Sequence, residues 1–297
     1  MHRKNQALFP AVILFLGLTL NSCSEDSIPV NLSKIEFWNQ EKLDRHKNEL
    51  LKTTELEGDV YIGSSVNNLS AFQNIEKIHG ELRIENTGLE NLEGLGQLAE
   101  VEKLKIDNNQ VLETAVLPGL VSVAQPINFI NNNALKTISL PKLERVGESP
   151  ANANIGIYGH EALESASFPE MRYFYSLTIL RNPQFKTLQG FTKLENESIY
   201  YLMLEFSSME SPSSLFENLS KPSTFEIKVE KQSGNNFDWL GNIATGSTVT
   251  LECNLVELEA LCPLAHAVDP DKPADVTVLN TATGDYFFGR DLLEACE

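Results

Sequence analysis

Four cysteines carry the most versatile chemistry in this 297-residue chain: Cys23, Cys253, Cys262 and Cys296. A thiol can take lipid, pair in a disulfide or bind metal, depending on its neighbours and compartment. Cys23 stands behind an N-terminal apolar run, which leaves three in the C-terminal part. In an oxidising compartment three allow one bridge and one free thiol. Cys253 and Cys262 are nine residues apart, so the spacing predicts a Cys253–Cys262 disulfide closing a short loop. A metal site is not expected, because no Cys-x-x-Cys or neighbouring histidine supports one. His46, His79, His160 and His266 lie far apart, without cysteine or carboxylate at metal spacing. HExxH, GxSxG and P-loop motifs are absent. Gly94-Leu95-Gly96-Gln97-Leu98-Ala99 formally matches a dinucleotide fingerprint but lies in a repeat turn, not between a strand and a long helix. Asp269, Asp271 and Asp275 lack the spacing of a calcium loop and read as a solvated linker. The expectation is a protein without cofactor and without enzymatic activity.

The one suggestive surface feature is aromatic. Outward sheet positions run Tyr61, Arg83, Lys105 and Asn128 and continue to Tyr158, with Tyr173, Tyr175 and Tyr201 nearby. Tyrosine offers large, rigid contact area with a polar tip, as protein and sugar sites often do. Tyr158, Tyr173, Tyr175 and Tyr201 are therefore the candidate binding patch. With 41 acidic against 23 basic residues the formal charge is −18, and loss of Arg3 and Lys4 would make it more negative. Such a field repels phosphate backbones and argues against nucleic acid.

What positions these residues is a repeat. Short apolar-polar-apolar segments recur at Val60, Leu82, Leu104, Ile127, Ile155, Leu177, Leu202, Ile227 and Val249, spaced 22, 22, 23, 28, 22, 25, 25 and 22, with a last candidate at Val276. Period-2 alternation over so few residues signals short strands with one buried face. Polar corners follow, at Asn86, Asn108-Asn109, Asn131-Asn132-Asn133 and Asn182-Pro183, where asparagine tolerates left-handed backbone and bonds neighbouring peptides. One such unit cannot bury its apolar side alone, whereas stacked units share a core. The 28-residue step holds Gly147 to Asn152, a bulge loop. The fold expected is mainly β: a parallel β-solenoid of about 22-residue coils with an N-terminal capping helix.

Arg3 and Lys4, the apolar run Ala7–Leu20 and the small-residue site before Cys23 read as a secretory signal. The run falls short of the roughly 20 residues that span a bilayer. The chain divides into a signal at 1–22, a tether at 23–34, a capping-helix segment at 35–55, the repeats at 56–268 and a C-terminal cap at 269–297. In the first cap Asn39 starts a helix running to Lys52, and Ile35, Phe37 and Trp38 cover the end of the stack. In the second, a strand, a Gly284-Asp285 turn, a strand at Tyr286–Phe288 and a short helix are expected.

Leu20-Asn21-Ser22-Cys23 resembles the lipobox of bacterial lipoproteins, and Ser24-Glu25-Asp26 looks like the acidic tag of those that Bacteroidetes export to the surface. The resemblance implies acylation of Cys23 and an outer-membrane, lipid-anchored, surface-exposed location. The stretch Ile78-His79-Gly80-Glu81-Leu82-Arg83-Ile84-Glu85-Asn86-Thr87-Gly88-Leu89 is similar to the receptor L-domain, and closer still to leucine-rich-repeat-like surface lipoproteins of Bacteroidetes. It fits from Leu56 to about Glu197. It implies that the solenoid is right-handed, with leucine-rich-repeat/L-domain-like coils, and that it binds an unknown surface protein or glycan. The alternatives are a structural envelope protein without a ligand, or a polysaccharide-acting β-helix enzyme.

Overall fold

The computed structural model describes residues 34–195, 201–206, 223–229, 237–254 and 257–297. The signal, Cys23 and all of the tether expected at 23–34 except Lys34, which begins a strand, lie outside the described residues. The described chain is mainly β, with a large, mostly parallel sheet and few helices.

The main sheet has fifteen strands among the described residues, and its central path follows chain order from Lys34–Asn39 to Tyr286–Phe288. Every pairing on the path is parallel except the last, between Val276–Asn280 and Tyr286–Phe288. The alternating segments supply these strands in the expected register through Val60, Leu82, Leu104, Ile127, Ile155, Leu177 and Leu202. Beyond it the register differs from the spacing: Leu202 pairs with Phe225, and Phe225 with Val249. Ile227 sits two residues further along, opposite Leu204 and Leu251. A two-residue offset leaves the buried face unchanged, so the alternation is satisfied in either register.

Parallel strands this short are held by what they bury. Leu82, Ile84, Leu104, Ile106, Ile127 and Phe129 are fully buried and belong to one continuous apolar cluster. Each such side chain contributes roughly 1.5–3 kcal/mol through removal from water. A second sheet of four parallel strands, Thr114–Val116, Thr137–Ser139, Ser165–Phe168 and Thr187–Gly190, carries the segments between main strands. Its inward residues Ala115, Ile138, Ala166 and Leu188 join the same cluster.

The corners are built as a ladder. Asn86, Asn108, Asn131, Gly159 and Arg181 adopt φ between 50° and 70°, the left-handed turn that asparagine and glycine accept at least cost. The next residue at each of these five corners is buried: Thr87, Asn109, Asn132, His160 and Asn182. Asn109 Oδ1 accepts from the Thr87 amide at 2.9 Å, and Asn132 Oδ1 from the Asn109 amide at 2.8 Å. His160 Nδ1 takes the Asn132 amide at 3.0 Å, and Asn182 Oδ1 the His160 amide at 3.0 Å. Backbone donors that a corner would leave unpaired are thereby satisfied.

At the N-terminal end, Gln40–Leu50 is a helix whose first turn is capped by Asn39 Oδ1, 2.8 Å from the Lys42 amide. Residues before it differ from the expected cap: Lys34–Asn39 is a strand, parallel to Asp59–Ser65. Ile35 and Phe37 alternate with more exposed neighbours, a period of two that suits a strand face. At the other end, the disulfide joins Cys262 to Cys296, with their Cα atoms 5.5 Å apart, and Cys253 is a free, buried thiol. The expected Cys253–Cys262 pair fails because Cys253 ends a core strand and faces inward opposite Val229. Cys262 instead opens the short helix Cys262–Ala265, packed against the terminal helix Gly289–Ala295.

Candidate functional site

The outward face of the main sheet is ordered in rows set by strand register. One row runs Glu36, Tyr61, Arg83, Lys105, Asn128, Gly156, Thr178, Met203, Glu226 and Thr250. The next runs Gly63, Glu85, Asp107, Ile130, Tyr158, Leu180, with Glu205, Lys228 and Glu252 continuing it from the strand Tyr201–Phe206 onward. Tyr158 therefore stands one row over from Tyr61, not in line with it. Its ring folds back across Gly156, where an added Cβ would sit 2.3 Å from Cε2. Tyr61 covers Gly63 in the same way, at 2.4 Å from Cε1. A glycine lets a cross-row aromatic lie flat on the sheet, which fills the space its missing side chain leaves.

Charge is distributed unevenly over this face. Toward the N-terminal strands the ions pair with neighbours: Arg83 with Glu85 at 2.7 Å, Lys105 with Asp107 at 2.8 Å and Lys103 with Glu81 at 3.5 Å. Beyond the centre, Lys228 pairs with Glu205 at 3.5 Å. Between them lies an uncharged, half-buried stretch: Ile130, Tyr158, Thr178, Leu180, Tyr201 and Met203. Tyr201 is hydrogen-bonded to Glu226, and burial first, then that bond and its charge, push the phenol up to about 12. It stays a neutral donor at all physiological pH values.

Of the four candidate tyrosines, Tyr158 and Tyr201 share this face and sense one another electrostatically. Tyr175 immediately precedes the strand Ser176–Leu180 and is tied to its neighbours by backbone: its amide donates to Ala153 at 2.7 Å and its carbonyl accepts from Tyr201 at 3.3 Å. Tyr173 belongs elsewhere, bridged to Arg145, whose guanidinium lies 4.5 Å over the tyrosine ring. At the edge strand, Trp38 stacks on Tyr61 at 4.3 Å and donates to Glu36 at 2.9 Å.

A groove of about 340 Å³ lies beside the Arg145–Tyr173 stack. Ile78, Val101, Val123 and Ala124 contribute its apolar lining; Lys77, Glu100, Ser122 and Arg145 come from registered strand positions, and Gly147-Glu148 from the inserted loop. Asn152 holds that loop in shape, its Oδ1 accepting from the Glu148 and Ser149 amides. No local pattern signals this groove, because its residues come from four separate segments. The histidines also fall apart here: His79 pairs with Glu55 at 2.9 Å, while His160 is buried in the corner ladder. Among the described residues no group of histidine, cysteine and carboxylate side chains is placed to hold a metal.

No protein family model, curated relative or solved structure matches this chain.

Proposed function

We propose that this chain is an outer-membrane lipoprotein, anchored through acylated Cys23 and exposed at the cell surface. Its repeats form a right-handed parallel β-solenoid of the leucine-rich-repeat and L-domain kind, and it works as a binding module, not as a catalyst. Chain-order parallel pairing at near-constant offset supports the solenoid, as does the second parallel sheet carried by four consecutive repeats. The signal-like leader and the Leu20–Cys23 motif support the anchor. Among the described residues, ion pairs on the sheet face satisfy one another and leave no convergent acid–base set there, which favours binding over chemistry.

The observation that carries the binding role is the uncharged Tyr158–Tyr201 stretch with ion pairs on both sides. Apolar, aromatic centres inside polar rims are how protein interfaces concentrate their energy. The face is broad rather than cleft-like, which favours a protein partner. Tyr158→Ala combined with Tyr201→Ala is expected to weaken saturable partner binding at least about tenfold, since truncated aromatic anchors typically cost 2 kcal/mol or more. Tyr173→Ala is expected to leave it within about twofold, because that ring packs on Arg145. Equilibrium binding of the three proteins to the cells' surface fraction measures this. Equal affinities would refute the site, and absence of any saturable binding would favour the purely structural reading.

The anchor has its own test. Cys23→Ser is expected to abolish radiolabelled palmitate incorporation and release the chain from membranes, because acyl chains contribute about 0.8 kcal/mol per buried methylene. Labelling that survives the substitution would refute the lipoprotein assignment.

A further inference from the structure

We infer that the groove between Lys77 and Glu148 is a subsite for a short, neutral saccharide, distinct from the tyrosine face. This deepens the binding role proposed above and rests on it. At about 340 Å³ the groove lies near the lower end of small-ligand sites, which suits one or two sugar rings. Its lining joins the two things a pyranose needs. The half-buried Ala124 offers an apolar contact for the C–H face of a ring, over a floor of Val101 and Val123 that belongs to the core. Around them stand carboxylates, a serine hydroxyl and a guanidinium for its hydroxyl groups.

The charges decide the ligand class. Lys77 is bound to Glu100 at 2.7 Å, and His79 to Glu55 at 2.9 Å. Arg145 is held by Glu195 at 3.6 Å and by the Tyr173 ring. Gln125 donates to Glu102. An anionic ligand would have to compete with these carboxylates for every cation, and it would meet Glu102 and Glu148 beside them. A cationic ligand would have to break the Lys77–Glu100 pair or settle for an exposed carboxylate. A neutral ligand breaks nothing. Carboxylates that are already paired still have lone pairs to accept sugar hydroxyls, and Arg145 has five N–H donors for two partners. The rigid wall comes from the loop 147–152, whose internal bonds to Asn152 fix Glu148 at the rim.

Saturation-transfer NMR on the full-length chain, probed with neutral methyl hexosides and disaccharides, tests this. Transfer to at least one saccharide is expected, unchanged between low and high salt, because no net charge is neutralised on binding. Ser122→Tyr, which fills the groove from a half-buried strand position, is expected to reduce transfer about tenfold. Glu148→Ala, on an exposed loop position, is expected to weaken it severalfold without touching the core. No transfer in the unmodified chain, transfer that survives Ser122→Tyr, or transfer lost at high salt would each overturn the inference. Partner binding at the sheet face should persist in Ser122→Tyr. Its loss in the tyrosine variants with saccharide transfer retained separates the two sites, so either can fail without the other.

Discussion

Acidification from pH 7 toward 4 is expected to destabilise this chain through His160 by about 3 kcal/mol, and His160→Asn is expected to remove that part of the loss. His160 occupies a rung that asparagine fills at the corners on both sides. Its Nδ1 accepts the Asn132 amide, so the neutral ring must carry its proton on Nε2. At Asn109, Asn132 and Asn182 the side-chain amide also donates, to the Ile84, Ile106 and Ile157 carbonyls at 3.1, 3.0 and 3.2 Å. The matching carbonyl for His160 is that of Phe129, which favours the ring proton without completing a hydrogen bond to Nε2. Burial dominates and lowers the imidazole pKa to about 4.

A base buried neutral contributes stability above its unfolded pKa of about 6.5, and that contribution falls away as pH drops toward 4. A charged ring would also turn Nδ1 from acceptor to donor, which gives up the Asn132 amide even though the Asn132 carbonyl, 3.2 Å away, can accept from it. Carboxylates titrate over part of the same range, but in both proteins alike. The difference between urea midpoints of the two chains at pH 7 and pH 4.5 therefore isolates His160. Parallel decline of both midpoints would refute this assignment. At pH 7 the asparagine variant should be at least as stable, because the amide can reach the Phe129 carbonyl. At pH 7 His160→Ala should lose about 2–4 kcal/mol, through the cavity and the orphaned Asn132 amide, a deficit that shrinks toward pH 4 as the parent chain loses the His160 contribution.

The same corner shows what a sequence can and cannot disclose. The strand segments are legible because burial of one face imposes alternation, as in Leu82-Arg83-Ile84, and the alternation survives a two-residue slip such as that at Ile227. His160 is less legible, since histidine does not resemble asparagine in type. Only its place, 28 residues after Asn132 and 22 before Asn182, marks it as a rung. The second sheet escapes altogether: Thr114–Val116 and Thr137–Ser139 bury a single residue each, too few for any period to emerge. Tyrosine positions were readable, but their rows were not. Tyr158 moved to the neighbouring row because the 28-residue step places Gly156, not Tyr158, opposite Asn128. The groove depends on four segments meeting, which no local pattern encodes.

Removing the disulfide is expected to cost more than removing any surface contact: Cys296→Ser should destabilise the chain by about 3–4 kcal/mol. The bond closes a span of 34 residues, so most of its effect comes from restricting the unfolded chain. It also joins the helix Cys262–Ala265 to Gly289–Ala295, whose buried Leu292 belongs to the core cluster. That last helix follows the only strand on the sheet path that is antiparallel among the described residues, and the strand exposes Tyr286 and Phe288. With the tether cut, this end unit has little apolar surface holding it, and it should open before the remainder. Cys253→Ala should behave differently. Burial pushes its thiol up to about 12, so it is un-ionised and shielded, and the loss should be about 1 kcal/mol or less for one small buried atom. Thiol labelling then separates the two possible pairings. In the folded chain no cysteine of the C-terminal part should react quickly. Denatured without reductant, the chain should expose one thiol, Cys253, and Cys253→Ala should expose none. If Cys253→Ala instead released a new reactive thiol on Cys262, the bond would run between residues nine apart, and the end unit would be tethered by packing alone.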